Sequence, residues 1–148
     1  MSRPGRTYLF KVRLRWMPEV WRTIEVRDEQ TLHQFHRAIQ RAFNWDDDHL
    51  YSFFLSGKAW DKNTEYASPY AEQGRSSVKA GLGSLGLRSG QRFLYLFDYG
   101  DQLEHEVEVL GSDDCGDGVR YPRIVEAHGE APPQYPEVEE EEWEEDED

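Results

Sequence analysis

Three imidazoles and a small set of carboxylates are the residues of this chain best suited to chemistry. His105 sits on a strand-like stretch in which Leu103, His105, Val107 and Val109 share one face and Glu104, Glu106 and Glu108 the other. Just before it, Asp98 and Asp101 flank Gly100 in a turn. Two carboxylates and one imidazole can ligate a divalent metal such as zinc or manganese, or divide the work of a general acid and base. The spacing follows no established metal motif. Each residue also has a purely structural use. Aspartates hold turns by accepting backbone N–H bonds, and a lone histidine on an inward face is more often a hydrogen-bonded core residue than a ligand. His36, on a helical pattern, and His49, at a strand start, face the same choice. The run Asp46-Asp47-Asp48 ahead of His49 lacks the glycine and terminal glutamate of an EF-hand loop, so it reads first as a solvated turn. No glycine-rich phosphate loop and no serine nucleophile motif is present. Cys115 lies among Asp113, Asp114 and Asp117, whose charges disfavour a thiolate.

The elements that must position these residues can be read from periodicity. Tyr8 to Trp16 alternates apolar and mostly basic side chains, and a turn at Met17-Pro18-Glu19 leads into a second strand, Val20 to Val26, with Val20, Ile24 and Val26 on the core side. Thr31 and Gln34 form a capping box ahead of Leu32, Phe35, His36, Ile39 and Phe43 at helical spacing, which predicts a helix over Thr31 to Phe43 ended by Asn44. A strand is expected from His49 to Leu55 with a short return at Lys58 to Trp60, and a long exposed loop from Asp61 to Ser77. Leu82, Leu85 and Leu87 suggest one helical turn. Phe93 to Tyr99, Leu103 to Leu110 and Tyr121 to Ala127 complete the strands. This order predicts an α+β fold, a mixed β-sheet with one main helix packed on one face, in an α/β-roll or β-grasp-like layout.

Length and composition allow one core. The 148 residues, 37% hydrophobic and 14% aromatic, are read as a single domain over residues 1–128 and a proline-containing, acidic, disordered tail over 129–148. The net charge of −13 belongs almost wholly to the C-terminal end: residues 1–110 hold 15 basic and 15 acidic side chains, residues 111–148 hold 2 and 15. No apolar run is long enough to span a membrane, no leader-like segment opens the chain, and the single cysteine fits a reducing compartment, so a cytoplasmic location is expected. Residues 1–45 carry 9 basic against 4 acidic side chains. Arg13, Arg15, Trp21 and Arg22, with Lys11 and Trp16, therefore form a candidate interaction face. Basic and aromatic side chains together can hold nucleic acid, but the balanced domain and acidic end favour a protein partner.

Taken together, Val20-Trp21-Arg22-Thr23-Ile24, Thr31-Leu32-His33-Gln34-Phe35-His36 with Ile39-Gln40, Trp45-Asp46-Asp47-Asp48-His49-Leu50, Phe97-Asp98-Tyr99-Gly100-Asp101 and Glu104-His105-Glu106-Val107 resemble the plasmid pRiA4b ORF-3-like family over roughly residues 7–125. The resemblance implies an α/β-roll fold and a link to plasmid or mobile-element biology, and carries no established activity. Two departures stand out. Leu103 replaces a tryptophan usual after the hairpin, and Ile124 and Ala131 stand where relatives carry cysteines. The expected function is a non-enzymatic protein-interaction module without a cofactor. The alternative is a metal-dependent enzyme or metal-binding domain using Asp98, Asp101 and His105, helped by His36 or His49.

Overall fold

The computed structural model describes residues 5–68 and 76–133. Eight strands form one sheet: β1 (Arg6–Leu14), β2 (Met17–Arg27), β3 (Tyr51–Phe54), β4 (Glu65–Ala67), β5 (Ser76–Ser77), β6 (Arg92–Phe97), β7 (Leu103–Asp114) and β8 (Arg123–His128). Their spatial order is β5-β4-β3-β6-β7-β1-β2-β8. All pairs are antiparallel except β4 with β5, so the sheet is mixed and mostly antiparallel. The single α-helix, α1 (Leu32–Phe43), packs on one face, as its apolar stripe requires.

The helix begins and ends on local chemistry. The Thr31 hydroxyl accepts from the Gln34 N–H at 3.1 Å while the Gln34 side chain accepts from the Thr31 N–H at 2.9 Å, satisfying two end donors reciprocally. Two further donors, the N–H groups of Leu32 and His33, reach the carbonyls of Ala80 and Val78. Asn44 ends the helix with φ 60°, a left-handed conformation that asparagine tolerates well.

Phe35, Ile39 and Phe43 of α1 meet Phe10, Val12, Phe53, Phe93, Tyr95, Phe97 and Val107 of the sheet in one core. The opposite sheet face is divided. Over β3 and β6, Phe54, Leu94 and Leu96 are buried with Ala59 and Tyr99 packed on them, and Trp60 lies edge-on to Phe54 and Tyr99. Over β7 and β1 the face is open and charged. This division explains why all four residues of β3 are buried, where alternation alone predicts two.

The connection read as a loop from Asp61 to Ser77 contains β4 and β5. The return strand lies at Glu65–Ala67, and Lys58 to Trp60 is a turn. A three-residue strand has too little sequence to show a period; pairing with β3 and the bond from the Ser52 hydroxyl to the buried Glu65 carboxylate at 2.7 Å hold it in place. At the far edge, Gly129 leaves β8 with φ 82°. A Cβ there would lie 2.9 Å from the Glu19 carbonyl, so the close approach requires glycine. Ala131 then packs on the core and the Pro132 carbonyl accepts from Trp45 Nε1 at 3.1 Å. The acidic run from Glu137 onward lies outside the described residues, and no helix among the described residues is long and apolar enough to cross a membrane.

Candidate functional site

Where the helix turns back into the sheet, an open pocket of about 630 Å³ is lined by His33, His36 and Arg37 of α1, by Asp47, Asp48, His49 and Leu50 of the following turn, and by Tyr51 and Ser68. Helical spacing puts His33 and Arg37 one turn apart on the same side. The tight exit at Asn44, followed by Asp47 at φ 55°, folds the acidic turn back against that side.

Behind the pocket wall, four side chains close a ring. His36 is fully buried, and burial pulls its pKa down to about 4; the nearby Asp47 carboxylate opposes the shift, and His33 and Arg37 add to it. The His36 imidazole is thus neutral near pH 7. With Nε2–H given to the Asp47 carboxylate (2.5 Å), Nδ1 accepts from the Tyr95 hydroxyl (2.7 Å), which in turn accepts from Gln40 Nε2 (2.9 Å). The Asp47 N–H donates to Gln40 Oε1 at 3.1 Å and completes the circuit. Tyr51 stacks on His36 with ring centroids 3.5 Å apart and meets His33 Nδ1 through its hydroxyl at 2.7 Å. Burial is the main cause that raises both phenol pKa values, so Tyr51 and Tyr95 keep their protons and serve as hydrogen-bonding groups.

The other polar residues singled out from the sequence do not converge with this group in one place. His49 lies at the pocket, with Nε2 3.4 Å from Asp48 and 3.5 Å from Asp98. Asp98 uses its other oxygen to accept from the N–H groups of Gly100 and Asp101, the turn-holding role; Asp101 is exposed. His105 is fully buried on the helix side of the sheet, edge to face with Trp16, Trp45 and Tyr95, and its Nδ1 is 3.0 Å from the Leu103 carbonyl. Burial pulls its pKa down to about 3. The strand period turns His105 into the core, while Asp98 holds the turn through one oxygen and faces His49 with the other, so the three side chains of Asp98, Asp101 and His105 are not brought together. Among the described residues no group of three or more His, Cys, Asp and Glu side chains could hold a metal ion.

The basic face is also redistributed. Arg13 and Arg15 do point outward with Trp21, but Arg22 shares the period of Val20 and Ile24 and turns to the helix side. There it is 7% exposed and donates to the carbonyls of Ala42, Trp21 and His128. On the outer face the arginines meet glutamates of the neighbouring strand: Arg15 with Glu104 at 2.9 Å and Arg13 with Glu106 at 4.0 Å. Lys11 lies over the Trp21 ring. Cross-strand pairing thus sets each of these outward arginines against a carboxylate.

Sequence reasoning about single residues missed Arg37, Gln40, Tyr51, Tyr95 and Ser68, and gave His33 no role of its own. The i, i+3, i+4 spacing of His33, His36 and Arg37 was the available signal for the helix side, and a core-facing tyrosine that needs a partner was the signal for Tyr95.

Residues 6–137 match the model of the family described as plasmid pRiA4b ORF-3-like protein. An uncharacterised protein, y4hQ, of Sinorhizobium fredii is 28% identical over 118 residues, which make up 79% of this chain and 59% of that protein, so the chain spans little more than half of its relative's length. The crystal structure of a protein of unknown function, MM3350, from Methanosarcina mazei Go1 is similar with a TM-score of 0.75 and 25% identity, over 89% of this chain and 75% of that one. With nearly the whole described fold inside the family match, the chain belongs to the plasmid pRiA4b ORF-3-like family.

Proposed function

We propose that this chain is a non-enzymatic interaction module that takes a polar segment of a protein partner into the pocket between α1 and the Asp46–His49 turn. The observation that carries the reading is how the pocket's groups are employed. His36 is buried, neutral and bonded on both nitrogens, so it serves to fix Asp47 and does not exchange protons with a substrate. Arg37, in contrast, is exposed and has no ion pair or hydrogen bond among the described residues. A pocket whose buried polar groups hold its rim in place, and whose Arg37 faces solvent, suits recognition better than bond chemistry. The outer sheet face, where arginines and glutamates already pair, has less charge left to offer a partner.

Affinity capture with the intact protein tests this when paired with three variants. Arg37→Glu and Asp48→Lys are expected to lose the same partner, whereas Arg13→Glu on the outer face keeps it. Loss with Arg13→Glu and retention with both pocket variants would overturn the pocket reading in favour of the sheet face.

A further inference from the structure

We infer that the pocket selects a segment of mixed charge, one basic and one acidic side chain held close together, and discriminates against segments of a single sign; this rests on the pocket being the interaction site. The helix wall supplies cationic and donor groups. Arg37 has no partner among the described residues, and His33, with Nδ1 engaged by Tyr51, has only Nε2 left to meet a ligand. The opposite wall supplies carboxylates. Asp47 is fixed by His36 through one oxygen and by Gln40 through its N–H, yet its side chain is 39% exposed, so the second oxygen is presented to solvent already oriented. Asp48 stands next to it on the same rim, its carboxylate already 3.4 Å from His49 Nε2.

A pocket of this polarity sorts ligands by charge arrangement. A phosphate or a purely acidic segment gains Arg37 but meets Asp47 and Asp48; a purely basic one gains the open oxygen of Asp47 but meets Arg37. A segment carrying both signs pairs with both walls and leaves no like charges together. The volume, about 630 Å³, is within the range of pockets that accept several side-chain groups, and eight of the nine lining residues are polar or aromatic with a polar tip. Because the wall charges are held on the helix and the ring-fixed turn, little ordering is required when the ligand arrives.

The test uses fluorescently labelled seven-residue peptides of glycine and serine that carry one lysine and one glutamate two positions apart, two lysines, two glutamates, or neither, with binding read by anisotropy at low and high salt. The mixed peptide is expected to bind at least about tenfold more tightly than either single-sign peptide. Arg37→Glu is expected to move the preference to the two-lysine peptide, and Asp48→Lys to move it toward the two-glutamate peptide. Thermal melts of both variants confirm that the fold is kept. Equal binding of all charged peptides, a single-sign peptide binding best to the wild type, or no binding at millimolar concentration overturns the inference. If the pocket variants still abolish partner capture in that case, the pocket reading survives and only its charge preference falls. If peptides bind but neither variant alters the preference, the pocket itself is not the site.

Discussion

At the scale of single residues, burial keeps two imidazoles, those of His36 and His105, neutral, and the consequence is measurable in two ways. Replacing Tyr95 by Phe removes the hydroxyl that joins His36 Nδ1 to Gln40 Nε2, leaving both without that partner in the interior. The expected loss is about 1 to 3 kcal/mol, the cost of stranded buried polar groups, read from urea denaturation of Tyr95→Phe against wild type. A loss below about 0.5 kcal/mol would mean that the ring is rearranged without penalty. The second consequence is a pH dependence. In the unfolded chain His36 and His105 take up protons below about 6.5, whereas burial holds the folded pKa values down near 4 and 3. Between these limits the unfolded state binds more protons, so stability rises with pH from the acid side and levels off above pH 6.5. His105→Phe, which keeps an aromatic ring among Trp16, Trp45 and Tyr95, is expected to flatten part of the rise between about pH 3 and pH 6.5. An unchanged slope in that variant would show that His105 already titrates normally.

At the scale of elements, the parts legible in the sequence are those whose signals are local. The helix was readable to within a residue because Thr31, Gln34 and Asn44 carry its ends and Phe35, Ile39 and Phe43 carry its period. Thr31→Ala should therefore cost about 1 kcal/mol, since it leaves the Gln34 N–H without its acceptor, and Thr31→Ser should restore most of it; thermal melts of the pair decide. The strands with two alternating faces, β1 and β7, were equally plain. By contrast, β4 could not be read because Glu65-Tyr66-Ala67 is too short to show a period and its place depends on Ser52, thirteen residues away in the chain. The site follows the same division. His36 and His49 were visible as polar residues on elements, but their partners Tyr95 and Asp98 arrive through sheet pairing, which no local pattern reports. Arg22 was misread for a related reason: its charge suggested solvent, while its register with Val20 and Ile24 put it inside, where three carbonyls receive it.

At the scale of the whole molecule, the distribution of charge decides what the acidic C-terminal run can do. A chain with net charge −13 and a basic N-terminal third invites the idea that one end lies across the other. The sheet argues against that arrangement. The outward arginines of β1 and of the turn after it are met by carboxylates of β7, Arg6 with Asp114 at 2.8 Å, Arg13 with Glu106 and Arg15 with Glu104, and Arg92 of β6 lies 4.0 Å from Glu108. Each exposed pair adds little stability on its own, but together they remove the net positive potential that would draw a polyanion. Ending the chain after Pro133 keeps the Trp45 bond to the Pro132 carbonyl and removes ten carboxylates. The truncated protein is therefore expected to unfold within about 0.5 kcal/mol of the full chain at both low and high salt, the packing and hydrogen bonds among residues 5–68 and 76–133 being kept. A full chain that is clearly more stable at low salt, with the difference vanishing as salt is added, would show instead that the acidic run is held electrostatically by the domain. In that event the paired arginines of the outer face would have to exchange partners, and Arg15→Ala, which removes the 2.9 Å pair with Glu104, would reduce the difference; if the ladder is as self-contained as its geometry indicates, that substitution leaves both chains equally stable.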